Sequence, residues 1–522
     1  MRGWLLLAAA LLLAGALLWV PTARVPLYYD MLAYSAQSLS LATGHGNTVS
    51  VRGEDVPGIY PAGLPALGAL AQVVLGPDLR HAQAAVFVCA LATLAAVYAL
   101  ARRVAGSAAG LAALLLLLSC AAFRDTARLT LSQVPTALAV ALAACLWVGA
   151  RRPGALFVAG LVAGLSLLLR YANVCFPAAL LAAELLAGAR REAPRGRSLL
   201  ALLGGLAVAA GVVLAHGALI YGSPLATGYP LWGFDAAGQF SLSHVFETAS
   251  PKAPGAEGDW ILVRALLGLG EVQSVAVVLL ALAGTWALWR RRQSEAVAAR
   301  LLLLGVLGVA AQALFLAGYA FRSETYLVPT LPLVAAIAGV GAAWVVTERL
   351  GPQRAALAPL LAAAVLGAEL LRDRPPDEAL QPALDRHDSL AAADGVLEPD
   401  AVLLTTSDPA LVEPLLGSAP GRTFVYLGPY VSPVVERAGL AELDAERCSP
   451  TSVERCAKRQ VAAGRPVYLD QNPPPRGLAP VHPKLREALL EAFRFEPTPV
   501  PNIFRLVPKA AEGAPVTPPS GR

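Results

Sequence analysis

Residues 84–122 read AAVFVCALATLAAVYALARRVAGSAAGLAALLLLLSCAA. Two apolar runs, 84–101 and 105–122, flank the pair Arg102 and Arg103. At about 1.5 Å of rise per helical residue, each run suffices for a hydrocarbon core about 30 Å thick. The arginines between them favour water. The stretch therefore predicts a pair of membrane-crossing helices joined by a short, basic turn.

The same grammar extends along most of the chain. Of its 522 residues 56% are hydrophobic and only 15% charged, with a mean hydropathy of +0.58. Soluble domains carry about 25% charged residues, so the composition argues against a soluble globular protein, and a collagen, a disordered chain and a small disulfide scaffold are excluded. About eleven apolar segments can cross, near 4–20, 84–101, 105–122, 134–150, 154–170, 172–188, 199–220, 269–289, 300–319, 327–346 and 355–371.

Charge sets the orientation. Residues 1–372 hold 25 Lys/Arg and 16 Asp/Glu, net +9, whereas residues 373–522 hold 16 and 20, net −4. The basic excess lies in short loops, at Arg102, Arg103, Arg151, Arg152, Arg190, Arg191, Arg195, Arg197, Arg290, Arg291, Arg292, Arg300, Arg349 and Arg354. That is a topology signal rather than a nucleic-acid surface. By the positive-inside rule the N-terminus is cytoplasmic and, with an odd number of spans, the chain beyond 373 is outside. The first segment, with Arg2 ahead of an apolar run and no A-x-A site after Val20, reads as a retained signal anchor.

This layout leaves two long outside loops, 21–83 and 221–268, where polar chemistry sits beside a bilayer. Beyond them, residues 373–507 read as a small α/β domain, with β-prone runs at 401–406, 423–427, 466–469 and 503–507 and helical stretches at 408–416 and 483–494. Residues 508–522, rich in Pro, Ala and Gly, read as a disordered tail. Cys448 and Cys456 stand seven residues apart in this region; either they close a short disulfide loop, as an extracytoplasmic setting favours, or they are two free thiols.

Few residues in the apolar half carry chemistry. Asp30 follows the first span and opens a stretch of amphipathic helix character, with Tyr34 one turn on. Two roles are open to it by position: a helix cap, or a general base that accepts a proton from an incoming hydroxyl or amine. Arg170 and Arg322 flank outer ends of apolar segments. A guanidinium there either snorkels to water and headgroups or holds a phosphate by charge and directed hydrogen bonds. Glu184, Glu271 and Glu369 near segment ends read as paired or snorkelling groups, and His216 as an interhelical hydrogen bonder. There is no P-loop, H-E-x-x-H, G-x-S-x-G or C-x-x-C, which removes support for nucleotide hydrolysis, zinc proteolysis and thiol redox chemistry.

Taken together, YYDMLAY (28–34) with YPAGLPALGAL (60–70), RLTLSQVPTALAVAL (128–142), GLVAGLSLLLRYAN (160–173), GSPLATGY (222–229) with FSLSH (240–244), and YLVPTLPLVAAIAG (326–339) resemble the GT-C glycosyltransferases. Within them the likeness is to the protein mannosyltransferase and aminoarabinose transferase branch. The resemblance implies a polytopic α-helical membrane protein of about eleven spans over residues 1–372, with the extracytoplasmic α/β domain after it. It further implies transfer of a sugar from a polyprenyl-phosphate donor on the outer side of the membrane, with Asp30 at the family's catalytic aspartate. Tyr34, Tyr60, Pro61, Gly63 and Tyr229 then belong to the substrate loops, and Arg170 and Arg322 to the donor phosphate.

The chain departs from its relatives at Gln133, where they commonly carry an acid; Asp125, eight residues earlier, is the candidate second carboxylate. No residue is assigned to a metal and no cofactor is named, with a divalent ion left open. The expected partners are a polyprenyl-phosphate sugar, membrane lipid and a glycan, lipid or protein acceptor, with no nucleic acid. The Ala/Leu/Arg-rich usage places the chain in a bacterial inner membrane. The competing readings are a catalytically silent relative, to which Gln133 gives weight, and a polytopic transporter or flippase with an outside ligand-binding tail.

Overall fold

The computed structural model describes residues 2–21, 24–25, 29–51, 54–150, 152–187, 195–231, 275–318, 324–372, 388–405, 409–416, 419, 421–426, 453–471 and 483–509. The elements that precede the Arg102–Arg103 stretch are α1 (Arg2–Leu18), α2 (Tyr29–Ala42), the antiparallel hairpin β1 (Thr48–Val51) and β2 (Glu54–Pro57), and α3 (Gly63–Leu75). The stretch itself is α4 (Ala82–Ser119), broken at Ala105 (φ −139°, ψ 20°) and at Gly106 (φ 84°, ψ 176°). Gly106 takes a left-handed φ that costs a residue without Cβ little. The two arms fold back on one another: a Cβ on Gly110 would lie 2.8 Å from the Tyr98 carbonyl oxygen, whereas a straight helix would part these residues by roughly 18 Å.

The remaining apolar segments are helices too. They are α5 (Ala121–Ala127), α6 (Gln133–Val148), α7 (Pro153–Leu165), α8 (Cys175–Ala187), α9 (Arg195–Tyr221), α10 (Val275–Arg291), α11 (Ala296–Gly318), α12 (Leu331–Leu350) and α13 (Ala358–Arg372). With α1 and the two arms of α4, every one of the eleven segments read from the sequence overlaps a helix. By length and composition, five described stretches suffice to cross a membrane: Leu79–Ser119, Gly196–Tyr221, Ala296–Gly318, Thr325–Leu350 and Pro352–Arg372. The others are shorter.

Small residues let these helices approach. α12 is the most enclosed of the long helices, packed against α4 and α10; a Cβ on Gly341 would lie 1.9 Å from the Leu280 carbonyl oxygen. Backbone-to-backbone contact of this kind replaces hydrophobic driving force where the solvent is itself apolar. α9 and α13 lie at the periphery and turn Leu200, Leu219, Leu360 and Leu371 outward.

Arginine marks one end of the bundle. The Arg102 guanidinium lies 5.4 Å from the Trp4 ring centroid, Arg290 lies 5.4 Å from Trp286 and Arg292 3.3 Å from Trp289. Arg103 donates to Cys145 O, Arg291 to Val104 O, and Arg300 to Val148 O and Ala150 O. The start of α1, the bend of α4, the end of α6 and the α10–α11 turn therefore share one end, as the charge pattern requires. Glu184 of α8 is buried and accepts from Trp147 Nε1 at 2.8 Å. Glu271 lies outside the described residues, Glu369 faces Arg372 across 3.7 Å, and both ring nitrogens of His216 are buried without a hydrogen-bond partner among the described residues.

Past α13 a five-stranded sheet forms, from β3 (Val402–Thr405), β4 (Thr423–Tyr426), β5 (Val467–Asp470), β6 (Phe493–Pro497) and β7 (Ile503–Pro508), in the order β4-β3-β5-β7-β6. β3 runs parallel to β4 and β5, with Leu403 opposite Phe424 and Tyr468, and β7 is antiparallel to β5 and β6. Its helices are α14 (Pro409–Leu416), α15 (Val453–Ala462) and α16 (Pro483–Ala492). One expectation is corrected: the helix expected over 483–494 ends at Ala492, and β6 takes over at Phe493 because residues 493–497 pair with 504–508 of β7. Cys456 is disulfide-bonded; Cys448 and residues 510–522 lie outside the described residues. The sheet is tied to the membrane part where α14 packs on α2 and β1 and where Arg80 meets Asp388 at 3.4 Å.

Candidate functional site

At the end opposite the arginine belt, α2 presents Asp30, Tyr34 and Gln37 at helical spacing, so that the three share a face. Asp30 lies within the first turn of α2 and is exposed. Its Oδ1 accepts from the Tyr60 hydroxyl at 2.5 Å, a bond across the loop. Tyr60 is fixed from behind. Gln37 Nε2 donates to Tyr60 O at 2.9 Å and to Asn47 Oδ1 at 2.8 Å, Asn47 Nδ2 donates to Tyr60 O at 3.1 Å, and Tyr60 N donates to Gln37 Oε1 at 3.3 Å.

The Tyr34 and Tyr60 rings stack at 4.2 Å with 19° between planes. Burial is the main cause that pushes both phenols above their ordinary value; the Asp30 charge adds to it at both, while Arg170 and the Ser132 bond oppose it at Tyr34. Both therefore remain hydrogen-bond donors at neutral pH. Tyr34 spends its proton on Ser132 Oγ, 3.0 Å away at the start of α6.

Ser132 is also where Arg170 arrives. The α7–α8 connection is two short 3-10 turns, Ser166–Leu168 and Tyr171–Val174, with Arg170 extended between them (φ −161°, ψ 116°). Its Nη1 donates to Ser132 Oγ at 3.4 Å and its Cζ lies 4.2 Å from the Tyr326 ring centroid. Tyr34, Tyr229, Tyr326 and Asp30 are all near enough to interact with its charge. Tyr229 meets Tyr60 edge-on at 6.0 Å and Tyr171 at 6.1 Å.

The glycines and prolines of the motifs allow this convergence. A Cβ on Gly63 would lie 2.5 Å from Leu168 O, and one on Gly228 would lie 2.2 Å from Gly58 O. Pro61 precedes α3 and is buried. α3 therefore starts against the Arg170 turn, and the GSPLATGY segment sits on the Tyr60 loop, where Tyr221 also donates to Gly58 O at 3.0 Å.

Asp30, Tyr34, Tyr60, Pro61, Gly63, Arg170 and Tyr229 thus fall at one end of the bundle. Arg322 and residues 240–244 lie outside the described residues. Asp125 sits exposed on α5, while its neighbours Arg124 and Arg128 turn to backbone carbonyls, Leu118 O and Leu17 O, each at 2.7 Å. Among the described residues no three of His, Cys, Asp and Glu converge as metal ligands. Six partners were not singled out from the sequence: Gln37, Asn47, Ser132, Tyr171, Tyr221 and Tyr326. Ser132, Tyr171 and Tyr326 stand inside the motifs that carry the resemblance, whereas Gln37, Asn47 and Tyr221 lie outside them.

The architecture matches solved structures over nearly its whole length. ArnT from Cupriavidus metallidurans bound to undecaprenyl phosphate superposes with a TM-score of 0.62 at 14% identity, covering 98% of this chain and 99% of that one. The same enzyme in the apo state gives 0.63 at 15%, covering 97% and 98%. The fold is that of the GT-C glycosyltransferases. An oligosaccharyltransferase from Archaeoglobus fulgidus follows at 0.53 and 14%, covering 90% of this chain and 69% of that one. The profile of the dolichyl-phosphate-mannose-protein mannosyltransferase family matches residues 61–216, the portion that carries Gly63, Ser132 and Arg170. No curated protein matches the sequence. With its apolar helices, the GT-C fold makes the chain a multi-pass membrane protein.

Proposed function

We propose that the chain is a glycosyltransferase that moves a sugar from a polyprenyl-phosphate donor to an acceptor on the outer side of the membrane, with Asp30 as general base. The observation that carries this reading is the joining of Asp30 and Arg170 through Tyr60, Tyr34 and Ser132. A carboxylate and a guanidinium held at one end of an apolar bundle suit an acceptor proton and a lipid phosphate respectively.

Asp30 Oδ1 is engaged by Tyr60, so Oδ2 takes the proton from the acceptor hydroxyl or amine. The acceptor atom forms its bond to the anomeric carbon as the bond from that carbon to the phosphate oxygen breaks, with inversion. The electron pair leaves on polyprenyl phosphate, and Arg170 faces the resulting charge. Phosphate is a good leaving group, so one carboxylate suffices and Asp125 is not required. The ArnT structure bound to undecaprenyl phosphate supports a polyprenyl-phosphate partner for a chain of this fold. A disulfide at Cys456 suits an oxidising compartment and supports residues 373–507 lying outside a bacterial inner membrane with the N-terminus inside. Acceptor recognition by that region is part of the same proposal.

The test uses full-length protein in lipid nanodiscs with a panel of polyprenyl-phosphate sugars and a cell-envelope extract as the source of acceptors, reading release of polyprenyl phosphate for wild type and Asp30→Asn side by side. Turnover lost in Asp30→Asn at unchanged expression and folding is expected. Turnover unaffected by Asp30→Asn removes the base, and folded protein silent with every donor favours a catalytically silent relative or a transporter.

A further inference from the structure

Gln133 opens α6, directly after Ser132. It is 3% exposed; among the described residues its Nε2 reaches only Thr325 Oγ1, at 3.5 Å, and its Oε1 is buried with no hydrogen-bond partner. A buried carbonyl oxygen without a donor forfeits the hydrogen bonds it had in water, and native interiors seldom leave one so. The residue that carries this one follows directly on Ser132, on which Tyr34 and Arg170 meet. On its other side, Thr325 begins the segment whose next residue, Tyr326, lies under the Arg170 guanidinium.

We propose that Gln133 Oε1 reads a hydrogen-bond donor, a hydroxyl or amino group, on the sugar ring of the lipid-linked donor. The inference rests on the transferase reading above and deepens it. The sugar of such a donor is attached directly to the phosphate. A group adjoining the partner of the phosphate-facing arginine is therefore placed at the ring rather than along the polyprenyl chain. A neutral amide oxygen accepts a hydroxyl without adding a second negative charge near the phosphate. The unpaired oxygen also supplies discrimination: a site built to hydrogen-bond a substrate group rejects an analogue that lacks it, since the buried partner is then stranded.

The experiment compares wild type with Gln133→Met, a replacement of similar length without a hydrogen-bonding amide, in nanodiscs and without acceptor. Binding is measured for bare polyprenyl phosphate and for a set of polyprenyl-phosphate hexoses and pentoses. Bare polyprenyl phosphate is expected to bind both proteins equally, while at least one glycosylated form binds the variant about tenfold or more weakly. For that sugar, the deoxy analogue missing the recognised group binds both proteins alike. Equal weakening of bare and glycosylated lipid, or no change with any sugar, overturns the proposal and leaves Gln133 a structural residue. Turnover, read separately with a cell-envelope extract added to supply acceptors, separates the two readings. Wild-type release of polyprenyl phosphate with no Gln133 effect on binding sinks this inference alone, whereas Gln133-dependent sugar binding without release from any donor in the presence of acceptor sinks the transfer reading alone.

Discussion

Replacing Tyr60 by Phe removes one hydroxyl and keeps the ring. In the folded protein that hydroxyl does a single described job, donating to Asp30 Oδ1 at 2.5 Å. Its backbone anchors on Gln37 and Asn47, and the 4.2 Å stack on Tyr34, do not involve the phenol oxygen. Hydrogen bonds to charged groups contribute about 1.5–3 kcal/mol. If the bond fixes the carboxylate for proton transfer, that energy appears in the barrier, and at about 1.36 kcal/mol per decade kcat/KM falls about 10- to 150-fold. The assay is release of polyprenyl phosphate in nanodiscs, with thermal unfolding measured in parallel. A matched control is Tyr34→Phe, which loses the bond to Ser132 and leaves Asp30 its partner. Tyr60→Phe with wild-type kcat/KM, at an unchanged unfolding temperature, would refute the idea that this bond orients the base.

Arg170→Lys keeps a charge but loses the planar fork that reaches Ser132 and covers Tyr326, so binding of bare polyprenyl phosphate should weaken about tenfold or more, read by titration in nanodiscs. Gly63→Ala drives a Cβ to 2.5 Å from a backbone oxygen at the Arg170 turn; a loss of about 1–3 kcal/mol of stability is expected, and unchanged thermal unfolding would speak against the close approach. Tyr34 and Tyr60 are pushed up by burial, and Tyr468 up to about 12 by burial and its bond to Glu398. The unfolded chain releases these protons first, near pH 10, so stability is full below that pH and falls as pH rises towards 12. Absorbance titration of the phenolates, native against denatured, checks it. Cys456→Ser should destabilise the sheet region by about 2–4 kcal/mol, seen as earlier proteolysis of residues 373–507.

Much of the site was legible as motifs, though not as partners. Asp30, Tyr34 and Tyr60 stood out because polar groups are scarce beside apolar runs, and Arg170 because it interrupts one. Gln133 drew notice as a departure from its relatives' acid, yet only burial reveals that its oxygen is unpaired. Gln37 gave no warning and Ser132 only its place within a motif, since their roles arise from contacts 23 and 38 residues away along the chain. The junction at Ala492–Phe493 was also hidden, because a strand paired at the edge of a sheet is decided by its neighbour rather than by its own propensity.

The sequence by itself determined the medium and the elements. Apolar runs of membrane length, with arginine between them, leave the backbone no satisfied alternative to helices, and alternating arginine-rich loops order their ends. Only the tertiary structure decided which ends meet and how closely. Gly341 lets two helices of the bundle touch, and Gly63 and Gly228 do the same beside the Arg170 turn and the Tyr60 loop, where Asp30, Tyr60, Tyr34, Ser132 and Arg170 form one chain of contacts. Periodicity records which face a residue occupies; it does not record what stands opposite, and hydrogen bonds exist only between the two.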